Sequence, residues 1–159
     1  MSWLSRLFGL WTSIPAVKPS VIQPVDSLDS LTDIDVVAKT IWGEARGEGL
    51  NGMTAVACVI MNRATKGGWW GRTPREVCLK PSQFSCWLKS DPNRAKILAV
   101  TQTDPQYQIA MSLANSVLTG TLTDITAGAT SYQVRGTNAW WAKGKTPIAS
   151  IGTQDFYRV

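Results

Sequence analysis

Two of the chain's three glutamates share one run, Ile41-Trp42-Gly43-Glu44-Ala45-Arg46-Gly47-Glu48, and histidine is absent from the whole sequence. Without imidazole, Ser-His-Asp and Cys-His nucleophilic catalysis are excluded. So are the His-ligated zinc sites that serve most metal-dependent amidases and peptidases. If the chain is an enzyme, carboxylates are its leading acid–base groups, and they suit proton transfer at a glycosidic oxygen. No metal site and no cofactor is expected.

Most of the 11 acids have a local structural task. Asp26 and Asp29 fall in a Pro- and Ser-rich stretch. Asp33 and Asp35 occupy the first turn of a helix, where they favour its positive dipole end. Glu76 completes a capping box with Thr73, and Asp91 and Asp104 each precede a proline as N-caps. Glu44, Glu48, Asp124 and Asp155 remain. At about 100° per residue Glu44 projects within about 20° of Val37, on the edge of the Ile34–Val37–Ile41 apolar stripe. Partial desolvation there favours the protonated form that a general acid requires. The alternative is an exposed Glu44 paired with a cation. Glu48 and Asp155 are candidates for a second carboxylate. Glu48 also reads as a helix-terminal residue paired with Arg46 or Arg63, and Asp124 as a turn residue.

The elements that must position these groups are mainly helical. Thr32 and Asp35 open a first helix by a capping box, with fraying expected at Gly47 and Gly49. A nearly apolar helix follows from about Gly52 to Arg63 and reads as the buried central helix. Lys66 to Arg72 is a Gly-rich loop presenting Trp69 and Trp70. Thr73-Pro74, Asp91-Pro92 and Asp104-Pro105 open three more helices, the last ending at Gly120. Residues 129–134 and 148–159 favour short strands. The expected fold class is α+β, mainly helical, with a small β element near the C-terminus. Residues 32–159 form the domain.

Residues 1–31 precede it as an apolar segment and a linker. Residues 1–14 have near-helical apolar spacing but are too short to span a bilayer, which takes about 20 apolar residues. Transient membrane contact is the expectation for them. Arg6 and Lys18 balance Asp26 and Asp29, so the formal charge of +5 sits on the domain and suits an anionic polymer or surface. Nucleic acid ranks low, because no RNA-binding motif or basic run is present. Eight tryptophans are available to stack on sugars, and roughly half suffice for a core. Trp42, Trp69, Trp70, Tyr132, Trp140 and Trp141 are candidates to line a groove. Cys78 and Cys86 bracket a short loop and could pair as a disulfide, while Cys58 reads as core. A monomer is expected.

The runs IWGEARGEGLNGMTAVACVIMNR, PSQFSCW and IGTQDFY resemble the SleB/CwlJ-type cell wall hydrolases, the spore cortex-lytic enzymes and their bacterial and phage relatives, over about residues 33–159. The resemblance implies a compact lysozyme-like domain acting on bacterial peptidoglycan. The implied reaction is glycan-strand cleavage, which in the spore enzymes is lytic transglycosylation to 1,6-anhydromuramic ends, with muramidase-type hydrolysis as the alternative. The family's catalytic glutamate falls on Glu44. Family patterns also put Gln83, Phe84 and Ser85 near the groove, with Thr130 and Tyr132 on the strand beside it. Ser131 and Gln154 stand where members commonly carry histidine, and a non-catalytic wall-binding module is the reading that this departure favours. By analogy a small basic domain of this kind resembles a phage endolysin, made in the host cytoplasm and acting at the cell wall or in the periplasm.

Overall fold

A computed structural model describes residues 28–159, and the apolar segment 1–14 lies outside the described residues. Five helices and a three-stranded sheet make up the domain: α1 (Asp33–Ala45), α2 (Gly49–Lys66), α3 (Pro74–Leu79), α4 (Asn93–Ala99), α5 (Pro105–Leu118), β1 (Ser131–Val134), β2 (Ala149–Ile151) and β3 (Gln154–Tyr157). The packed chain also reaches back beyond residue 32. Arg75 donates to the carbonyls of Leu31 (2.8 Å) and Leu28 (3.1 Å), and both leucines pack against the core.

The expected caps set the helix starts. Thr32 Oγ1 accepts from the Asp35 N–H and Asp35 answers from the Thr32 N–H, which closes the capping box of α1. Asp104 accepts from the Tyr107 N–H at 2.9 Å to open α5, and Gly120, with φ +68°, follows its end. Two caps differ in detail. Thr73 accepts from the Glu76 N–H, but the Glu76 carboxylate turns to the Arg72 N–H at 2.7 Å, so the box is displaced by one residue. Asp91 accepts from the Asn93 N–H at 2.7 Å, leaving Pro92 at the cap position of α4.

The central helix is α1 rather than α2, since α1 contacts all four other helices. Its buried positions run unbroken from Val36 to Trp42 and include Lys39 and Thr40. The apolar surround of α2 has another cause. Met53, Val56, Ala57 and Ile60 join the helical core, while Ala55 and Val59 meet Ala129 and Phe156 of the sheet region in a second cluster. Helix α2 thus divides two cores. It begins at Gly49, earlier than expected, after a 3-10 turn over Arg46–Glu48.

Sheet order is β1-β3-β2, antiparallel throughout, with Tyr132 opposite Phe156 and Ser150 opposite Asp155. Cys78 and Cys86, which could have paired, form no bridge. All three cysteines are free and buried. The Cys78 thiol meets the Thr40 hydroxyl and the Cys86 thiol meets Glu44, so the two are committed to different partners.

Candidate active site

Helix α1 delivers Glu44 in its last turn, and there the helix meets the loop before α4 and the sheet. One carboxylate oxygen, Oε1, accepts from the Cys86 backbone N–H at 3.1 Å. The other, Oε2, accepts from the Tyr132 hydroxyl at 3.0 Å. The donors lie on opposite sides of the chain's topology, one in the 3-10 turn Ser85–Trp87 and one on β1. Together they fix the partly buried carboxyl group in one orientation. Tyr132 is itself held with its ring 5.7 Å from that of Phe156. Burial first, and the nearby Glu44 charge second, push its phenol well above the ordinary value, so it remains a hydroxyl donor. The same two causes push the Cys86 thiol up.

Glu44 opens into a groove of about 1090 Å³. Among the described residues it is the acid that lines this groove, together with Arg63, Lys66, Trp69, Trp70, Gln83, Ser85, Tyr132, Trp140 and Trp141. Trp69 and Trp140 are strongly exposed, at 66% and 87%. Trp69 is braced edge-on by Trp70 at 4.8 Å, and the Lys80 ammonium lies over its ring at 4.8 Å. An indole exposed on a groove wall offers a face on which a sugar ring can stack.

Three expected groove residues sit elsewhere. Trp42 is buried, donates from Nε1 to Asp104 at 3.2 Å and lies under the Arg46 guanidinium, so it ties α1 to α5. Phe84 is core, packed beneath Arg63. Thr130 is buried, with its hydroxyl bonded to the Val159 backbone.

Neither candidate second carboxylate reaches the groove. Glu48 accepts from the Thr153 hydroxyl (2.8 Å) and N–H (3.2 Å), so it pins the β2–β3 turn and pairs with neither Arg46 nor Arg63. Asp155 projects from the other face of β3, where Oδ1 accepts from Ser150 (2.6 Å) and Arg135 (3.2 Å). Asp124 is a turn residue, as expected, accepting from the Thr126 and Gly128 N–H groups.

Arg63 is the site residue that sequence reasoning missed. It is 6% exposed, donates from Nε to the Thr130 carbonyl at 2.7 Å and lies over the rings of Trp70 (4.5 Å) and Phe84 (4.9 Å). Its Nη1 has no hydrogen-bond partner among the described residues. Burial lowers it to about 10, against the opposite pull of Tyr132, Cys78 and Glu44. A buried cation without an ion pair is costly, and here it lines the groove together with Glu44, whose charge it feels. The available signal was an arginine ending a helix that is otherwise nearly apolar. Ser131 lines the groove, and Gln154, on β3, is buried.

Comparison with known proteins bears on the family and the fold. A family model described as cell wall hydrolase matches residues 47–157, a span that begins just after Glu44. A spore cortex-lytic enzyme of Oceanobacillus iheyensis is 36% identical over 84 residues, covering 48% of this chain and 30% of the relative. The chain thus spans under a third of that protein's length. Two solved structures share the fold. The catalytic domain of Bacillus cereus SleB is 26% identical, with a TM-score of 0.59 over 78% of this chain and 88% of the other. The catalytic domain of the germination-specific lytic transglycosylase SleB from Bacillus anthracis is 25% identical, with a TM-score of 0.61 over 82% and 98%. The mainly helical domain with its small C-terminal sheet is a lysozyme-like fold.

Proposed function

The chain belongs to the cell wall hydrolase family, and from that premise we propose that it cleaves the glycan strand of peptidoglycan as a lytic transglycosylase, with Glu44 as both acid and base. One observation carries this reading. Among the described residues Glu44 is the acid lining the groove, with both oxygens held by the Cys86 N–H and the Tyr132 hydroxyl.

In the proposed reaction Glu44 donates its proton to the oxygen between N-acetylmuramic acid and N-acetylglucosamine. The C–O bond breaks as oxocarbenium character develops at the muramic anomeric carbon. The muramic 6-hydroxyl then attacks that carbon and returns its proton to Glu44, which leaves a 1,6-anhydro ring and a regenerated acid. No water and no second carboxylate enters the cycle. That suits a site whose other acids, Glu48 and Asp155, are bonded away from the groove. Between the two transfers Glu44 is a carboxylate, and the Tyr132 hydroxyl, the Cys86 N–H and the Arg63 charge all stabilise it without rearrangement. Trp69 and Trp140 supply stacking faces along the strand. The Bacillus anthracis relative, named a lytic transglycosylase, supports the choice of reaction.

The test is digestion of purified peptidoglycan by wild type and Glu44→Gln, with products read by mass spectrometry. Anhydro-muropeptides from wild type and none from the variant are expected. Reducing muramic ends would instead assign muramidase hydrolysis, and undiminished cleavage by Glu44→Gln would remove Glu44 from the chemistry. We also propose a lytic role of the endolysin kind, by analogy with small basic wall hydrolases; it predicts lysis when the chain is delivered to the periplasm of a susceptible host.

A further inference from the structure

Beside the groove, on the far side of Trp140, lies a second cleft of about 740 Å³, which the chemistry at Glu44 does not use. Trp140 lines both spaces. The second cleft is built rather than incidental. Gln133 spans it, donating to the Tyr157 hydroxyl at 3.0 Å and accepting from the Ala139 N–H at 3.1 Å. Trp141 packs edge-on to Tyr157 at 5.4 Å, which secures the 135–145 segment to the sheet.

Its charge is the informative feature. Lys143 and Lys145 line the cleft, both exposed, and neither ammonium has a salt-bridge partner among the described residues. The acid in the cleft, Asp155, is already engaged by Arg135 and Ser150. The cleft therefore carries positive charge that the chain leaves unneutralised. A ligand suited to it bears carboxylates and is tethered to whatever lies on Trp140.

Resting on the function proposed above, we propose that this cleft receives the anionic peptide stem carried by the muramic acid, while the glycan strand lies in the groove beside Glu44. The stem's free carboxylates meet Lys143 and Lys145. The enzyme then prefers peptide-bearing strands to bare ones. Because both lysines are exposed, the preference is modest and sensitive to salt.

The test measures strand binding in a Glu44→Gln background, where cleavage is absent, and cleavage in the otherwise wild-type chain. Glycan strands with intact stems are compared with strands stripped of them by an amidase. With lysines intact, stem-bearing strands should bind about three- to tenfold more tightly, with the gap closing at high salt. Lys143→Gln/Lys145→Gln should abolish the gap while leaving turnover of stripped strands unchanged. Lys96→Gln, an exposed change on α4 away from both spaces, should leave the gap intact. Equal binding of the two strands, a gap that survives the double substitution, or one that Lys96→Gln removes as effectively would each overturn the proposal. Absent cleavage by the wild type would count against the Glu44 reading instead, because the binding comparison does not depend on turnover.

Discussion

Tyr132→Phe removes a single oxygen atom, the donor 3.0 Å from Glu44 Oε2. The ring stays, so contact with Phe156 and the groove wall is retained. Glu44 keeps the Cys86 N–H at 3.1 Å but loses the second point that fixes the plane of its carboxyl group. A hydrogen bond to a charged group is worth about 1.5–3 kcal/mol. It acts fully in the steps where Glu44 carries charge, and each 1.36 kcal/mol is tenfold in rate. Turnover should therefore fall about 10- to 150-fold, with KM nearly unchanged. The fold should lose only about 1 kcal/mol. Initial rates of anhydro-muropeptide release against peptidoglycan concentration, paired with a thermal melt, measure both. Turnover within twofold of wild type in a folded variant would refute the idea that Tyr132 orients Glu44. A raised KM at constant turnover would make Tyr132 a sugar contact instead.

Other expectations follow from the same structure. Burial pushes Cys58 up to about 11 and Cys78 up to about 12, with Cys86 raised as well, so an aromatic disulfide reagent at pH 8 should label none of the three thiols until the chain is denatured. A Cβ at Gly43 would stand 2.8 Å from Ile97 Cγ2 and 3.0 Å from Cys86 Cβ. Gly43→Ala should thus cost about 1–3 kcal/mol in urea unfolding and, by shifting Cys86, reduce activity in the fraction that remains folded. Burial pushes the Asp124 carboxyl up, yet bonds from Thr126, Gly128 and Asn62 outweigh it and hold the group below its ordinary range. Its contribution to stability is present above the unfolded value and is lost as pH falls through the folded one. Asp124→Asn should destabilise the domain by about 1–2 kcal/mol at pH 7 and flatten the decline in stability below about pH 5.

Much of this protein is written in short-range signals. Thr32 with Asp35, and Asp104 with Pro105, determine helix starts because a cap and the backbone N–H it accepts from lie within one turn. The spacing of Ile34, Val37 and Ile41 identifies the buried face of α1 and puts Glu44 at its edge. The lack of histidine narrows the chemistry to carboxylates before any fold is known.

Tertiary packing decided what those groups meet. Glu44 is held by residues 42 and 88 positions away in the chain, and no local rule relates residues so far apart. Helical periodicity says that a face is buried but not against what, so Trp42, expected in the groove, spans to α5, while Trp140, on an irregular connection, stands exposed on its wall. The alternation of side chains along β3 turned Asp155 away from Glu44, and the hairpin turn at Thr153 claimed Glu48. Arg63 became part of the site because α2 separates two cores and ends at the mouth of the groove. A residue's type and local spacing determine what it can do; where distant segments converge determines which residues do it.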